Sequence, residues 1–308
     1  MLAILCPGQG AQTPGMLSPW LELPELADSL DALSEAAQLD LRHLGTAADA
    51  ETIRDTKVAQ PLIVAASLLA FQAVFGQETG AVDVAAGHSV GELAAAAVAG
   101  VLTDRDALHL VGVRGRAMAD AAAVTPTGMS AVVGGDPDEV TATITRHGLT
   151  AANVNGGGQV VAAGTLDQLA ALAAEPPAKA RVVPLQVAGA FHTEHMAPAV
   201  AEVRTAASSL SPADPRATLL SNADGAAVTS GADALERIVA QVARPVRWDL
   251  CCRTMLDRGV TAAIELAPAG VLTGLARRTL PGVQTLALKS PDQIDAAREL
   301  AREHGGTR

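Results

Sequence analysis

Aromatic side chains are nearly absent. Phe, Trp and Tyr make up 2% of the 308 residues and there is no Tyr, so the core must be built from Ala, Val and Leu. A base-stacking nucleic-acid surface has little to draw on. Positive charge is also short: 22 Lys and Arg against 33 Asp and Glu leave a net charge of −11. That balance disfavours non-specific attraction to nucleic acid or anionic lipid, while leaving room for a local basic patch. The only cysteines are Cys6, Cys251 and Cys252, two of them adjacent. They form neither a disulfide framework nor a metal spacing, so a reducing compartment and no metal are expected. No uninterrupted apolar run reaches membrane-spanning length. The first ten residues lack the basic start of a signal peptide. The expectation is a soluble cytoplasmic protein.

What is present is core material: 49% hydrophobic and 18% charged residues, in a chain long enough for one large domain or two. Leu2 to Cys6 reads as a buried strand, followed by a Gly- and Pro-rich loop, Pro7 to Gly15, at the position where α/β folds bind ligands. The loop lacks the Gly-Lys-Ser/Thr of a P-loop. Helical periodicity marks Leu21 to Leu39, Gln60 to Phe75 and Asp104 to Asp120, the last carrying Arg114 and Arg116. From about Gly128 the pattern becomes strand, helix, strand, strand, helix, strand within about 60 residues, the ferredoxin-like order. Asp136 caps its first helix with Pro137 at the first position, and Asn155 to Gly158 reads as the hairpin turn. One continuous helix is expected over Glu194 to Ser209. α/β alternation then resumes to the C-terminus. The predicted fold is α/β: a hydrolase-like large subdomain with a parallel sheet, residues 1–126 and 188–308, interrupted by a ferredoxin-like small subdomain, residues 127–187.

The chemistry concentrates at Gly87-His88-Ser89-Val90-Gly91, a G-x-S-x-G pattern between an apolar run and a string of helix formers. Strand, sharp turn and helix are the context of a nucleophile elbow. Ser89 would sit at a helix N-terminus, where the Val90 amide and the helix dipole can stabilise an oxyanion. A serine nucleophile needs a base. His43, His109, His147 and His304 fall in or beside helical segments, and the His88 side chain should point away from its neighbour. His192 and His195 remain, and His192 lies in a Gly/Ala loop suited to presenting a catalytic group. An acid between Ser and His would complete a hydrolase triad, but Asp136, Asp138 and Asp167 fall in the inserted subdomain. A backbone carbonyl or an amide group could orient His192 instead.

Six blocks appear in order: Pro7-Gly8-Gln9-Gly10-Ala11-Gln12, Gly87 to Glu92, Arg114 to Met118, Asn153-Val154-Asn155-Gly156, Gly189-Ala190-Phe191-His192, and Gln241 with Pro245 to Trp248. Together they resemble the malonyl-CoA:acyl-carrier-protein transacylases, acyltransferases of fatty-acid and polyketide synthesis, from the first strand to about Arg278. The resemblance implies that Ser89 carries the malonyl group and His192 serves as base and then acid. It places the oxyanion hole at the Gln9 and Val90 amides, and it gives Arg114 to the malonyl carboxylate. The backbone carbonyl of Gln241 would orient His192. Asn153 and Asn155 would lie by the substrate, and Phe191 with Val90 would favour malonyl over methylmalonyl. The implied partners are malonyl-CoA and an acyl carrier protein, with no cofactor, no nucleic acid and no membrane, in a free-standing monomer. Lys179 with Arg181, and next Arg277 with Arg278, are the candidate basic contacts for an acidic carrier. A transferase dedicated to a polyketide or malonate-decarboxylase carrier is the alternative, and a serine thioesterase or esterase stands further off.

Overall fold

The computed structural model describes residues 1–76 and 82–306. The chain runs β1 (Leu2–Cys6), α1 (Pro24–Ala37), α2 (Leu41–Thr46), α3 (Thr56–Phe75), β2 (Val84–Gly87), α4 (Gly91–Val98) and α5 (Asp104–Val124). It continues through β3 (Thr127–Gly134), α6 (Pro137–Arg146), β4 (Thr150–Gly156), β5 (Gln159–Thr165), α7 (Leu166–Ala174) and β6 (Ala180–Pro184). The last part holds α8 (Ala197–Ala207), β7 (Thr218–Leu220), β8 (Ala227–Val228), α9 (Gly231–Gln241), α10 (Trp248–Asp257), β9 (Ala262–Glu265), α11 (Val271–Thr279), β10 (Gln284–Ala287) and α12 (Ile294–His304).

Two sheets result. The first has the order β10-β9-β1-β2-β7-β8, parallel except for β8. Its central strands are buried along their whole length, as the unbroken apolar runs require when helices cover both faces. The second is antiparallel, in the order β4-β5-β3-β6. Its own apolar layer, with Val132, Val140, Ile144, Leu149 and Leu172, lies beneath α6 and α7. A parallel bridge between Asn153 and Val246 joins the two parts, with the Val154 amide donating to the Val246 carbonyl and the Val246 amide to Ala152.

Several boundaries differ from the sequence expectation, each for a local reason. The Leu21–Leu39 helix starts at Pro24, which takes the first helical position after a 3₁₀ turn at Trp20–Glu22. The Glu194–Ser209 helix is split into a 3₁₀ turn, Glu194–Met196, and α8, whose first turn carries Pro198. Asn155 lies within β4 rather than in the turn, because register shifts lengthen that strand and leave Gly157 and Gly158 to reverse the chain at positive φ. α2 and β8 had no sequence signal of their own. By length and composition α3 could cross a membrane, which the sequence reading did not allow for; 83% of that stretch is buried inside the fold, as a core helix.

The parallel register sets Cys6 beside Gly87 and Leu5 beside Glu265, so the chain leaves β1, β2 and β9 at one edge of the sheet. The loop carrying Gln9 and the turn carrying Ser89 therefore emerge as neighbours, where parallel α/β sheets bind ligands. The approach leaves no room for side chains. A Cβ on Gly87 would lie 2.0 Å from the Gly91 carbonyl carbon, and one on Gly91 would lie 2.2 Å from the Cys6 carbonyl oxygen. Both obstructions are backbone, which cannot swing aside. Gly91→Ala should therefore lower stability by at least about 3 kcal/mol, the upper part of the range for forced overpacking. Urea denaturation measures this, and an unchanged midpoint would show that the elbow has slack.

Candidate active site

Ser89 sits at the tip of the turn between β2 and α4 with φ at 54°, a left-handed conformation that a non-glycine residue adopts at a cost. The turn is held from behind. Its own amide donates to Asn222 Oδ1 at 2.8 Å, and Asn222 Nδ2 donates to the Gly87 carbonyl at 2.8 Å. That commits the Ser89 amide. The Gln9 and Val90 amides have no acceptor among the described residues, and both residues line the cavity in front of Ser89. Two uncommitted amides in such a place suit a developing oxyanion.

His192 is also left-handed, with φ at 62°, and 3% exposed. Its Nε2 is 2.7 Å from Ser89 Oγ and its Nδ1 is 2.9 Å from the Gln241 backbone carbonyl. A carbonyl only accepts, so Nδ1 must carry the proton and Nε2 is left as the acceptor for the serine hydroxyl. Burial, and then the nearby Arg114 charge, push the imidazole pKa down to about 3. The ring is thus neutral and ready to take a proton. His88 turns away from Ser89 and holds Asn155 Oδ1 at 2.9 Å through Nε2. His195 is not among the residues lining the cavity.

Arg114 comes from the middle of α5 and is 1% exposed. Its guanidinium donates to Gln60 Oε1 at 2.5 Å, to Gln241 Oε1 at 2.9 Å and to Ser89 Oγ at 3.3 Å. Burial pulls its pKa down to about 10, with Glu92 opposing, so it stays charged. Gln241 is used twice. Its backbone orients His192, and its side chain bridges Arg114 to Glu92, donating from Nε2 to the Glu92 carboxylate. Glu92 is 4% exposed, and its other oxygen accepts from the Asn222 amide at 2.6 Å. Burial pushes the Glu92 pKa up to about 8, against the Asn222 amide and the Arg114 charge.

The cavity in front of these groups holds about 80 Å³ and is closed by Met118, Met129, Val187 and Phe191. A second cavity of about 170 Å³ shares Gln9, His88, Asn153 and Leu185 with it and runs between β4, β5 and α11. Asn153 lines both, and its Oδ1 is buried with no partner, an acceptor left open. Asn155 lines only the second, with both side-chain polar atoms held by His88 and Gln159. A larger cavity, about 550 Å³, lies elsewhere, against α3 and the end of α4, and is lined by none of these residues. The three cysteines are buried, with thiol pKa values raised chiefly by burial, and so are poor nucleophiles. No group of three or more His, Cys, Asp or Glu that could hold a metal occurs among the described residues.

The structure thus gathers Gln9, Ser89, Val90, Arg114, Asn153, Phe191 and His192 around one cavity, with Gln241 behind it. Sequence reasoning gave no role to Gln60, Asn222 or the Glu92 side chain. Glu92 had a signal: it is the single charged residue in a helix otherwise made of Gly, Leu, Ala and Val. Asn222 followed a strand with nothing to distinguish it.

The chain resembles known proteins over nearly its whole length. The model of the acyl transferase domain family matches residues 4–299. The chain is 55% identical over 297 residues to the malonyl CoA-acyl carrier protein transacylase of Mycobacterium tuberculosis, covering 96% of this chain and 98% of that one. It superimposes on the crystal structure of MCAT from Mycobacterium tuberculosis with a TM-score of 0.94, over 97% of this chain and 99% of the other. A malonyl-transacylase solved in complex with a type II PKS acyl-carrier protein matches with a TM-score of 0.89 at 27% identity, over 97% and 99% of the two chains.

The depressed His192 pKa fixes the sign of the pH response. The neutral base is present above about pH 3 and is lost only as pH falls through that value. The rate at which Ser89 is acylated should therefore show no His limb between about pH 5 and 7, where an ordinary imidazole titrates. Rapid-quench acylation rates across that range test this. A limb centred on the ordinary value of 6.5 would mean that His192 is solvated in the working enzyme.

Proposed function

The chain belongs to the acyl transferase domain family, and within it to the malonyl CoA-acyl carrier protein transacylases; from that membership we propose that Ser89 takes a malonyl group from malonyl-CoA and passes it to the pantetheine thiol of an acyl carrier protein. The observation that carries the reading is the line from the Gln241 carbonyl through His192 to Ser89 Oγ, with the Arg114 guanidinium over the same oxygen. His192 Nε2 accepts the serine proton as Oγ attacks the thioester carbonyl. The oxyanion is met by the Gln9 and Val90 amides, the C–S bond breaks, and the imidazolium returns its proton to the departing thiolate. The pantetheine thiol then reverses the sequence. Two half-reactions through one ester make the kinetics ping-pong, and no metal or redox group is required by this chemistry.

Arg114 gives the site its preference for a carboxylate-bearing acyl group. A guanidinium fork pairs with a carboxylate through two bonds, and among the described residues no Asp or Glu side chain accepts from it. An esterase would have no use for such a residue. We read residues 1–126 and 188–308 as the hydrolase-like body and 127–187 as an inserted ferredoxin-like subdomain; the order β4-β5-β3-β6 supports this, since it is the order that fold takes. The long cavity between the two parts suits the pantetheine arm, with Asn153 as an acceptor for one of its amides. For carrier docking, Arg181 is the second residue of β6 and lies about 13 Å along the chain from Leu185 at the cavity, at ~3.3 Å per residue. Arg277 and Arg278 end α11, whose Val271, Leu272 and Leu275 line the same cavity. A monomer acting in the cytoplasm completes the proposal, with the carrier that of fatty-acid or polyketide synthesis.

Intact-mass measurement after mixing with malonyl-CoA tests the central claim: wild type should gain one malonyl group and Ser89→Ala none. A mutant that still gains it would move the ester elsewhere. Arg114→Ala should cost malonyl transfer on the order of 3–5 kcal/mol, the loss expected for a broken buried pair, while acetyl transfer from acetyl-CoA falls far less. Equal losses would remove Arg114 from acyl selection. With Phe191 and two methionines closing the cavity, methylmalonyl-CoA should be disfavoured by roughly 1–3 kcal/mol. A competition assay giving comparable kcat/KM for the two would set that aside.

A further inference from the structure

Among the described residues Glu92 is the only carboxylate hydrogen-bonded into the site network, and nothing in the proposed chemistry uses it. It is the second residue of α4, in the helix's first turn behind Ser89, and 4% exposed. Its two oxygens are met by two donors, the Asn222 amide at 2.6 Å and Gln241 Nε2. The Gln241 NH₂ group also faces the Ser89 carbonyl and Asn222 Oδ1, each at 3.2 Å. Three acceptors on one side leave the amide a single sensible orientation. Its oxygen must then point the other way, to Arg114 at 2.9 Å. Reversed, Gln241 would set an NH₂ against the guanidinium and an oxygen against the Ser89 carbonyl and Asn222 Oδ1, wrong at both ends.

We infer that Glu92 is a positioning residue for acyl-group selection: it locks the Gln241 amide so that the Gln241 oxygen holds the Arg114 fork over Ser89. The inference rests on the reading of Arg114 as the carboxylate partner. Glu92 does not touch the substrate. It reaches Arg114 through one amide, and the same residue's backbone carbonyl holds His192 Nδ1 at 2.9 Å. Glu92 acts through that amide and makes no hydrogen bond to Arg114 itself, whose guanidinium donates to Gln60, Gln241 and Ser89. A direct Glu–Arg pair would fill the place that the substrate needs.

Glu92→Gln separates this role from a structural one. The variant keeps size and one acceptor oxygen, which the Asn222 amide claims, and turns an NH₂ towards the Gln241 NH₂. Gln241 must then reverse or lose its partner. The readout is the rate of malonyl-serine formation from malonyl-CoA against acetyl-serine formation from acetyl-CoA, both by intact mass. The malonyl-to-acetyl ratio should fall at least about tenfold, as expected when a buried charge-assisted hydrogen bond is lost. A purely structural residue would lower both rates together, and an unchanged ratio overturns the inference. The exchange Glu92→Gln with Gln241→Glu restores a donor opposite an acceptor but sets a carboxylate on Arg114. It should recover acetyl loading and leave malonyl loading lost; normal malonyl loading would also overturn the inference. If Glu92→Gln does not fold, the exchange variant decides alone. Arg114→Ala is run beside them. If it leaves the ratio intact, the reading of Arg114 itself fails; if it collapses the ratio and Glu92→Gln does not, only the role of Glu92 is lost.

Discussion

A buried cation with no carboxylate beside it governs this site. The Arg114 guanidinium is held by Gln60, Gln241 and Ser89, all neutral groups. An uncompensated charge in an interior is costly, and proteins either pair it or neutralise it. Here burial brings the pKa only to about 10, so the charge persists. The fold tolerates it because the amide oxygens of Gln60 and Gln241 solvate it. What the resting site lacks is an anion in the fork, and a bound malonyl carboxylate would supply one. Selection and stability would then be one problem: the cost of the unpaired charge in the free enzyme is what a carboxylate-bearing substrate would relieve and an acetyl group would not.

The same charge acts on the base. After burial, Arg114 is the largest influence lowering the His192 pKa. A carboxylate paired with Arg114 would cancel much of that field, so His192 should become a stronger base once the malonyl group is in place. The site would then favour proton transfer most when the acyl group it selects is bound. Using a carbonyl at Nδ1 instead of an aspartate fits this arrangement, because a fixed carboxylate there would hold the imidazole basicity high in the empty enzyme as well.

The route by which α5 delivers Arg114 depends on small residues. A Cβ on Gly112 would come within 2.8 Å of the Ala37 carbonyl oxygen, and one on Gly115 within 3.1 Å of the Lys57 Cα. These glycines bracket Arg114 and let α1 and α3 close on α5, which brings Gln60 of α3 to the guanidinium. A glycine inside a helix costs about 1 kcal/mol against Ala, so two of them in one helix need a packing reason. The Ala-rich, aromatic-poor composition has the same effect throughout: thin side chains bring backbones close, and polar groups from distant segments can meet in the interior.

This explains what was legible beforehand. Ser89 could be read because the elbow is local: an apolar strand, two glycines and a helix lie within a dozen residues. The sequence of strands and helices that builds the antiparallel sheet could be read because each carries its own local pattern between Thr127 and Pro184. His192 could be reached because a serine needs a base and few histidines lay on loops. The Arg114 network could not be read this way. Its partners lie 54 residues away at Gln60 and 127 at Gln241, and Gln241 meets Glu92 across 149. No spacing rule connects α3, α4, α5 and the end of α9; only the closed fold does. Asn155 shows the limit from the other direction. Its place in a polar motif suggested a substrate contact, whereas its side chain is spent on His88 and Gln159, and the open acceptor belongs to Asn153 two residues earlier on the same strand. Both asparagines read alike in sequence and both line the second cavity; a register shift between Ala151 and Asn153 makes the strand irregular where they differ.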